Sequence, residues 1–260
     1  MTGEDVELQE FKTRQYSSNE SRSLEHAAKF GRDAILKSLI KTPRPLVFDV
    51  GGYTGKSIVG IKTAFPDARV FSFEPNPQVI EALRGVAANY SDVEVTQVAV
   101  SNASGTVEYY QQGINPGLGG IHKRNVESRD SIDLTRLREG ADSAERARYL
   151  AEVNKAHLSV PTITLGEFAK SRGLTGPVEL VKIDVQGHEP EVLEGCGDLL
   201  ARTHVVLTEI SFYDLYEKSV SFYDVEQVLR PHGFRLWDIS HISKNPMNGR
   251  TDWVDAIYVR

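Results

Sequence analysis

The stretch that decides the fold of this chain is Leu-Val-Phe-Asp-Val-Gly-Gly-Tyr-Thr-Gly-Lys-Ser, residues 46–57. A short apolar run ends at Asp49, glycines follow at positions 51, 52 and 55, and a helix-like segment then begins. Glycine is needed where the backbone must bend sharply or lie close to a ligand. The first N–H groups of the helix lack partners and face whatever lies above the turn. The pattern therefore predicts a strand, a tight turn and a helix that form a nucleotide-type cofactor pocket.

Two well-known phosphate-binding turns match this stretch poorly. A P-loop has four residues between its first glycine and Gly-Lys-Ser, whereas here the span from Gly51 to Gly55 is one residue too short. A dinucleotide-binding turn follows Gly-x-Gly-x-x-Gly, and Tyr53 stands where its second glycine belongs. Glu74 lies where a dinucleotide fold carries its acidic residue, so a nicotinamide-dependent oxidoreductase stays open as an alternative.

S-adenosylmethionine suits the turn better, because it carries no phosphate and presents a ribose, an adenine and a methionine tail. Glu74 ends the predicted second strand, residues 68–74, where its carboxylate can accept hydrogen bonds from both ribose hydroxyls. Asp49 is expected to bind the cofactor, or else only to tie down the glycine turn. The predicted cofactor-binding residues are Asp49, Gly51, Gly52, Tyr53, Gly55, Glu74, Pro75, Ala99, Ser101 and Asp184.

The composition is that of one globular domain. The 260 residues include 30 Lys and Arg against 36 Asp and Glu, a net charge of −6 that argues against nucleic acid as the main partner. A single cysteine, Cys196, excludes a disulfide framework and predicts a cytoplasmic setting. We expect neither a signal peptide nor a membrane span, since the apolar runs are short.

Strand-like and helix-like segments alternate along the chain, which predicts an α/β fold with a parallel sheet and helices on both of its faces. We expect a doubly wound, seven-stranded Rossmann-like sheet whose last two strands form an antiparallel pair. Residues 1–42 are predicted to hold a polar tail (1–18) and one helix (19–40), and residues 43–260 the main domain. The amphipathic first helix leaves a homo-oligomer open.

Residues 112–158 interrupt this alternation. The segment begins with several glycines and continues with a charged, helix-like region. Long insertions in compact domains are usually functional or disordered. We therefore predict a lid that covers the substrate, with a solvated surface excursion as the alternative.

Several segments together are similar to one known family: Asp-Val-Gly-Gly-Tyr-Thr-Gly (49–55), Phe-Glu-Pro-Asn-Pro (73–77), Ala-Val-Ser-Asn-Ala-Ser-Gly (99–105), Val-Pro-Thr-Ile-Thr-Leu (160–165) and Val-Lys-Ile-Asp-Val-Gln-Gly-His-Glu (181–189). They resemble the FkbM family of S-adenosylmethionine-dependent methyltransferases, which have the class I fold. The resemblance implies O-methylation of a hydroxyl on a sugar, a polyketide or another natural product. Tyr53 stands where the family usually has Asn, and Gln186 where it usually has Glu. The second departure motivates a further alternative, a methyltransferase-fold protein that binds its cofactor without turnover.

Methyl transfer to an alcohol requires a group that removes the hydroxyl proton, and three residues are candidates for this role. His188 is predicted to be the base because imidazole titrates near neutral pH, and Asp184 and Glu189 lie beside it in sequence. His188 could instead make only local hydrogen bonds, and Glu189 could only favour the dipole of the helix that it opens. Two further histidines, His122 in the lid and His241 in the last loop, could also reach the acceptor.

Asp184 and Glu209 end strands that are expected to be neighbours, so their carboxylates could converge and bind Mg²⁺ together with water. The alternative is that Asp184 contacts backbone or the methionine end of the cofactor while Glu209 pairs with a nearby cation. The expected partner is a small-molecule hydroxyl acceptor, which several aromatic side chains could surround: Phe212, Tyr213, Tyr216 and Trp253.

Overall fold

A computed structural model describes residues 19–112, 115–128, 131, 140, 142–154, 156–218 and 220–260 of the chain. The chain divides into two compact units, Met1–Leu39 and Ile40–Arg260, close to the predicted boundary after residue 42. The first unit holds two helices, α1 (Asn19–Phe30) and α2 (Arg32–Leu39), where a single helix was predicted. The helix is interrupted at Gly31. The predicted tail lies outside the described residues.

The second unit alternates strands and helices. Its strands are β1 (Leu46–Val50), β2 (Arg69–Phe73), β3 (Val93–Thr96), β4 (Ala99–Val100), β5 (Gly105–Gln111), β6 (Ala156–Ile163), β7 (Val178–Ile183), β8 (Thr203–Ser211), β9 (Arg235–Lys244) and β10 (Thr251–Val259). Its helices are α3 (Lys56–Ala64), α4 (Ile80–Ala87), α5 (Ser143–Glu152), α6 (Leu165–Ser171), α7 (Glu189–Cys196) and α8 (Phe222–Leu229). Short 3-10 turns occur at Pro116–Leu118, Gly197–Arg202 and Arg230–His232. No helix in the described ranges combines the length and the apolar character needed to cross a lipid bilayer.

The main sheet has seven strands in the order β3-β2-β1-β7-β8-β10-β9. The first five strands in this order, β3-β2-β1-β7-β8, are parallel to their neighbours, and β10 runs antiparallel to both β8 and β9. The prediction of a doubly wound, seven-stranded sheet that ends in an antiparallel pair is therefore confirmed. The strand order reverses at β1 and β7, which is where such sheets bind their ligands.

A second, three-stranded sheet has the order β4-β6-β5. The segment 93–100 forms two strands and not one, because the Val98 N–H donates to the Thr96 carbonyl at 3.1 Å and turns the chain. β3 then stays in the main sheet, whereas β4 pairs with the end of β6. This small sheet carries β5 and β6, the strands on either side of the predicted lid segment.

The central strands are buried on both faces, which explains their nearly continuous apolar sequences. Phe48 of β1 and Phe73 of β2 lie in one core cluster with Phe168 of α6. The Phe73 and Phe168 rings meet edge to face with centroids 4.8 Å apart, a favoured aromatic geometry. This packing holds the carboxyl ends of β1 and β2 in place against α6, and so positions the residues that follow the two strands.

Gly51, directly after β1, has a specific steric role that can be tested by substitution. Its φ is +82°, and an added Cβ would lie 1.8 Å from the backbone carbonyl oxygen of Asp184. We expect Gly51→Ala to lower the free energy of unfolding by roughly 2–4 kcal/mol, because backbone must move to relieve the clash. At about 2–4 °C per kcal/mol, thermal unfolding should show a drop in the melting temperature of about 4–16 °C.

Gly60 supplies the matched control for this substitution. It lies inside α3, and an added Cβ would meet nothing within 4 Å. Gly60→Ala should therefore be neutral or stabilising, by up to about 1 kcal/mol. Equal melting temperatures for the two variants would contradict the steric role of Gly51.

Candidate active site

A cavity of about 260 Å³ lies at the carboxyl edge of the sheet, where β1, β2 and β7 end. It is also bounded by β4 and by residues 115–121 of the predicted lid. Six of the predicted cofactor residues line it, namely Gly51, Tyr53, Glu74, Pro75, Ala99 and Asp184. The strand-end position is the one at which open α/β sheets bind ligands.

Glu74 is buried on the wall of this cavity, directly after β2. Its Oε2 accepts a hydrogen bond from the Tyr53 N–H at 2.9 Å, and its Oε1 accepts one from the Asn76 N–H at 2.8 Å. Burial raises the pKa of Glu74, and the two backbone donors oppose that shift. Each carboxylate oxygen can accept a second hydrogen bond, so Glu74 can still receive two hydroxyl donors from a ligand.

The turn after β1 is held against β2 by backbone hydrogen bonds. The N–H groups of Gly51 and Gly52 both donate to the Phe73 carbonyl, at 2.9 and 3.1 Å. Tyr53 follows with φ of +47°, an uncommon conformation for a residue with a side chain. Its ring lies close to Gly117 of the lid segment, where an added Cβ would be 3.3 Å from the Tyr53 Cζ. The tyrosine thus joins the turn to the segment that covers the cavity.

Asp49 makes the contacts expected of its alternative role, that of holding the glycine turn. Its side chain is fully buried and does not line the cavity. The Oδ2 atom accepts hydrogen bonds from the hydroxyls of Ser57 at 2.8 Å and Ser72 at 2.7 Å. Asp49 therefore ties down the turn from beneath, which was the alternative role.

Three other predicted cofactor residues also lie outside the cavity lining. Gly52 lets the turn pack on β2, since an added Cβ would lie 2.2 Å from the Ser72 Oγ. Gly55 precedes α3 in a left-handed conformation against Val86 of α4. Ser101 contacts His188, as described below. In this structure these residues pack and position the turn and α7, and their direct contact with the cofactor stays a prediction.

Lys182, in β7, is a site residue that the sequence analysis missed. Its Nζ donates to the Gly51 carbonyl at 2.8 Å and lies 3.5 Å from both Asp49 Oδ1 and Asp184 Oδ2. Burial by itself would lower the pKa of Lys182, but Asp184 and Asp49 outweigh it and raise the pKa. The signal in the sequence was a single lysine inside the otherwise apolar second half of a buried strand.

Asp184 and Glu209 do converge, and the amide of Gln186 lies between them. Gln186 Nε2 donates to Asp184 Oδ1 at 2.9 Å and to Glu209 Oε1 at 3.4 Å. The Tyr216 hydroxyl donates to Gln186 Oε1 at 2.6 Å and lies 3.2 Å from the carbonyl oxygen of Leu118 in the lid. Burial and the nearby Asp184 raise the pKa of Glu209.

The predicted magnesium site at Asp184 and Glu209 is not supported by this arrangement. The amide N–H group occupies the place between the two carboxylates, and the Lys182 ammonium already lies beside Asp184. Within the described ranges, no third carboxylate, histidine or cysteine joins the pair to form a cluster with all ligand atoms within 4.8 Å. Hard cations such as Mg²⁺ require several oxygen ligands around one point.

Glu189 has a different role from the predicted acid–base one. It is buried at the start of α7, where its Oε1 accepts from the Val185 N–H at 3.1 Å. Both carboxylate oxygens also accept from the Gly187 N–H, at 3.1 and 3.2 Å. Glu189 thus holds the turn after β7 and does not line the cavity, so this geometry does not favour the predicted acid–base role.

Burial raises the pKa of Glu189 to about 7, which predicts a measurable pH dependence of stability. Between its ordinary value of 4.5 and about 7 the folded chain binds a proton that the unfolded chain has lost. This contribution to stability is present below pH 4.5, is lost as the pH rises through 7, and is on the order of 3 kcal/mol. Glutamine cannot titrate, so the melting temperature of wild type minus that of Glu189→Gln should fall between pH 5 and pH 8.

The exposed Glu194 in the same helix provides the control for this pH dependence. Glu194→Gln should track the wild type across the same pH range. A pH-independent difference between wild type and Glu189→Gln would mean that the buried carboxyl titrates alike in the folded and unfolded chains.

His188 is buried, and both nitrogens of its ring are within hydrogen-bonding distance of side chains. Nε2 lies 2.9 Å from Ser101 Oγ, and Nδ1 lies 3.1 Å from His122 Nε2. Burial lowers the pKa of His188 to about 4, so the ring is neutral at physiological pH. His188 does not line the cavity, and His241, which stacks on Trp253 with ring centroids 4.8 Å apart, does not line it either. The geometry thus favours Asp184 over either histidine as the group that faces a ligand.

Comparisons with known proteins match most of this chain. A family model described as the methyltransferase FkbM domain matches residues 49–236. The 2-O-methyltransferase NoeI of Sinorhizobium fredii is 26% identical over 69% of this chain and 69% of its own length. The 31-O-demethyl-FK506 methyltransferase FkbM of Streptomyces tacrolimicus is 27% identical over 75% of this chain and 74% of its own.

A solved structure, a methyltransferase FkbM from Methylobacillus flagellatus, matches with a TM-score of 0.52 and 11% identity. The match covers 86% of this chain and 45% of that one, so this chain spans less than half of its length. At such low identity the likeness shows the fold alone, and the fold is the class I methyltransferase arrangement.

Proposed function

This chain belongs to the FkbM methyltransferase family, and we propose that it transfers a methyl group from S-adenosylmethionine to a hydroxyl oxygen of a small molecule. The observation that carries the proposal is the presence of two carboxylates, Glu74 and Asp184, on the wall of one cavity at the ends of β2 and β7. Family membership also decides against the nicotinamide-dependent oxidoreductase.

The chemistry of the cavity wall fits S-adenosylmethionine. That cofactor supplies, when bound, a methyl group on a sulfonium that is open to in-line attack. Glu74 would accept hydrogen bonds from the ribose hydroxyls through the free lone pairs of its two oxygens. The apolar residues at 98–100, together with Tyr109, provide a surface for the adenine. The backbone of the turn at Gly51 and Tyr53 would hold the methionine end.

Asp184 is the group that we assign to removal of the acceptor's proton. Its side chain is 37% exposed and lines the cavity, unlike those of His188 and Glu189. The Gln186 amide on Oδ1 and the Lys182 ammonium near Oδ2 fix the orientation of the carboxylate. A positioned general base of this kind contributes about 10²–10⁴-fold to the rate.

The lid segment contributes by excluding water from the reaction. Residues 115–121 form one wall of the cavity, and the Tyr216 hydroxyl, which donates to Gln186 Oε1, lies 3.2 Å from the carbonyl oxygen of Leu118 within them. Exclusion of water strengthens the interaction of Asp184 with the hydroxyl proton and keeps the acceptor as the nucleophile. The segment that covers the cavity therefore lies next to the Tyr216 and Gln186 side chains, and Gln186 in turn orients the Asp184 carboxylate.

The names of the relatives support an oxygen acceptor. NoeI is a 2-O-methyltransferase, and the FkbM of Streptomyces tacrolimicus acts on a 31-O-demethyl compound. Both names place the methyl group on oxygen. For this chain we accordingly propose a hydroxyl on a sugar or on a polyketide or related natural-product intermediate.

The proposal is tested with the full chain, methyl-labelled S-adenosylmethionine and a panel of hydroxylated sugars and polyketides. We expect S-adenosylhomocysteine, but not NADH, to raise the melting temperature, and label to appear on oxygen in at least one acceptor class. Protection by NADH alone, or labelling on nitrogen or carbon and not on oxygen, would contradict the proposal.

A further inference from the structure

A second cluster of polar side chains lies beside the cavity and is not used by the proposed reaction. His122 Nε2 and His188 Nδ1 are 3.1 Å apart, and Glu191 Oε2 is 3.5 Å from His188 Nδ1. Within the described ranges these three residues form the one group of three histidine, cysteine or carboxylate side chains whose ligand atoms all lie within 4.8 Å of one another. His122 comes from the lid segment, whereas His188 and Glu191 come from the start of α7.

One polar atom of this cluster lacks a hydrogen-bond partner among the described residues. Glu191 Oε2 is buried and accepts no hydrogen bond from the described part of the chain. Its other oxygen, Oε1, is paired with the Lys218 ammonium, which leaves Oε2 directed at the two histidines. An unpaired buried carboxylate oxygen is costly, so a positive group between Glu191 and the rings would be strongly favoured.

The donor atoms suit a cation that prefers mixed nitrogen and oxygen ligands. Two ligands on one tetrahedral ion with bonds of about 2.0–2.1 Å lie roughly 3.3 Å apart, close to the two separations in the cluster. The second nitrogen of His188 lies 2.9 Å from Ser101 Oγ, and metal-bound histidines usually donate this second N–H to a fixed oxygen. Ser101, which we had expected beside the adenine, would then orient a ligand.

We propose that His122 Nε2, His188 Nδ1 and Glu191 Oε2 form a binding site for Zn²⁺ or a similar divalent transition-metal ion. Three protein ligands leave a fourth position for water. Lys218 opposes the incoming positive charge, so its removal should tighten binding.

From the location of the site we infer that a bound ion holds the lid segment closed over the cavity. This role rests on the proposed function. His122 directly follows Ile121, which lines the cavity, so a bound ion would tie the covering segment to α7. A bound cofactor should then leave more slowly when the ion is present. The site is separate from Asp184, and its occupancy can be measured without any methyl donor.

The direct test is a titration of the metal-free full chain with Co²⁺, followed by visible absorption, and then displacement of the Co²⁺ by Zn²⁺. We expect one Co²⁺ to bind per chain, with the visible spectrum of a four-coordinate ion that has nitrogen and oxygen ligands. His122→Gln and Glu191→Gln should each weaken binding by about 10–100-fold, and Lys218→Met should tighten it. His241→Gln, which changes a histidine outside the cluster, is the matched control and should bind as the wild type does.

Retention of the fold by each variant is checked by thermal unfolding without metal. Absence of Co²⁺ binding to the wild type, or binding that survives both His122→Gln and Glu191→Gln, would overturn the site. The lid-closing role is measured separately, as the dissociation rate of S-adenosylhomocysteine. We expect Zn²⁺ to slow this rate at least threefold in the wild type and to leave it unchanged in His122→Gln; an equal effect in both would overturn that role. Failure of the methyl-transfer assay would leave the Co²⁺ result intact, so the two proposals fail independently.

Discussion

Replacing Glu74 with alanine is expected to weaken the binding of S-adenosylhomocysteine by about 100-fold or more. The carboxylate is positioned on the cavity wall to accept two hydroxyl hydrogen bonds from the ribose. Hydrogen bonds to a charged group contribute about 1.5–3 kcal/mol each, and the loss of about 3 kcal/mol corresponds to a factor of about 100. Isothermal titration calorimetry of wild type and variant measures the difference.

Glu74 also accepts hydrogen bonds from the backbone at Tyr53 and Asn76, so the substitution affects the turn as well as the ligand. Two controls separate the effects. Glu81→Ala removes an exposed carboxylate from α4 and should bind normally. Thermal unfolding of Glu74→Ala without ligand reports any loss of fold. Unchanged affinity in a folded variant would contradict the assignment of the cavity to the cofactor.

Replacing Asp184 with asparagine is expected to lower kcat by about 10²–10⁴-fold while the chain stays folded. Asparagine can keep the hydrogen bond from Gln186 Nε2 through its oxygen, but its amide cannot accept the proton of the hydroxyl. The decrease should appear in single-turnover experiments with saturating acceptor, which isolate the chemical step from product release.

A purely structural role of Asp184 would weaken ligand binding as well as catalysis. In Asp184→Asn the decrease should instead be confined to kcat, with the KM of the acceptor close to the wild-type value. Asp198→Asn, an exposed aspartate to asparagine change just beyond α7, is the matched control. Wild-type kcat in Asp184→Asn would exclude Asp184 as the base.

The sequence was most informative about residues whose location follows from their position at the end of a strand. Glu74 and Asp184 were predicted from their positions at the ends of β2 and β7, and both lie on the cavity wall. The ends of parallel strands meet at one edge of the sheet, so a residue that ends a strand can be placed without knowledge of side-chain contacts. The antiparallel pair that closes the sheet was also predictable. The connection between β9 and β10 is too short for the crossover that a parallel pair requires.

The sequence was less informative where a role depends on contacts across the fold. Glu189 accepts hydrogen bonds from its own turn, and only the path of that turn shows that its carboxylate does not face the cavity. His122 contacts His188 although 66 residues of sequence separate them. Asp49 is the last residue but one of β1 and Asp184 directly follows β7, yet two serine hydroxyls hold Asp49 beneath the turn. Local pattern does not distinguish these cases, because packing decides which way each carboxylate points.

The central claim is that the methyl donor binds in the cavity at the ends of β1, β2 and β7. A crystal structure of the full chain with S-adenosylhomocysteine tests it most directly. We predict both ribose hydroxyls within hydrogen-bonding distance of the Glu74 carboxylate and the sulfur on the side of the cavity that faces Asp184. A complex with the ligand bound elsewhere, or with its ribose away from Glu74, would contradict the account.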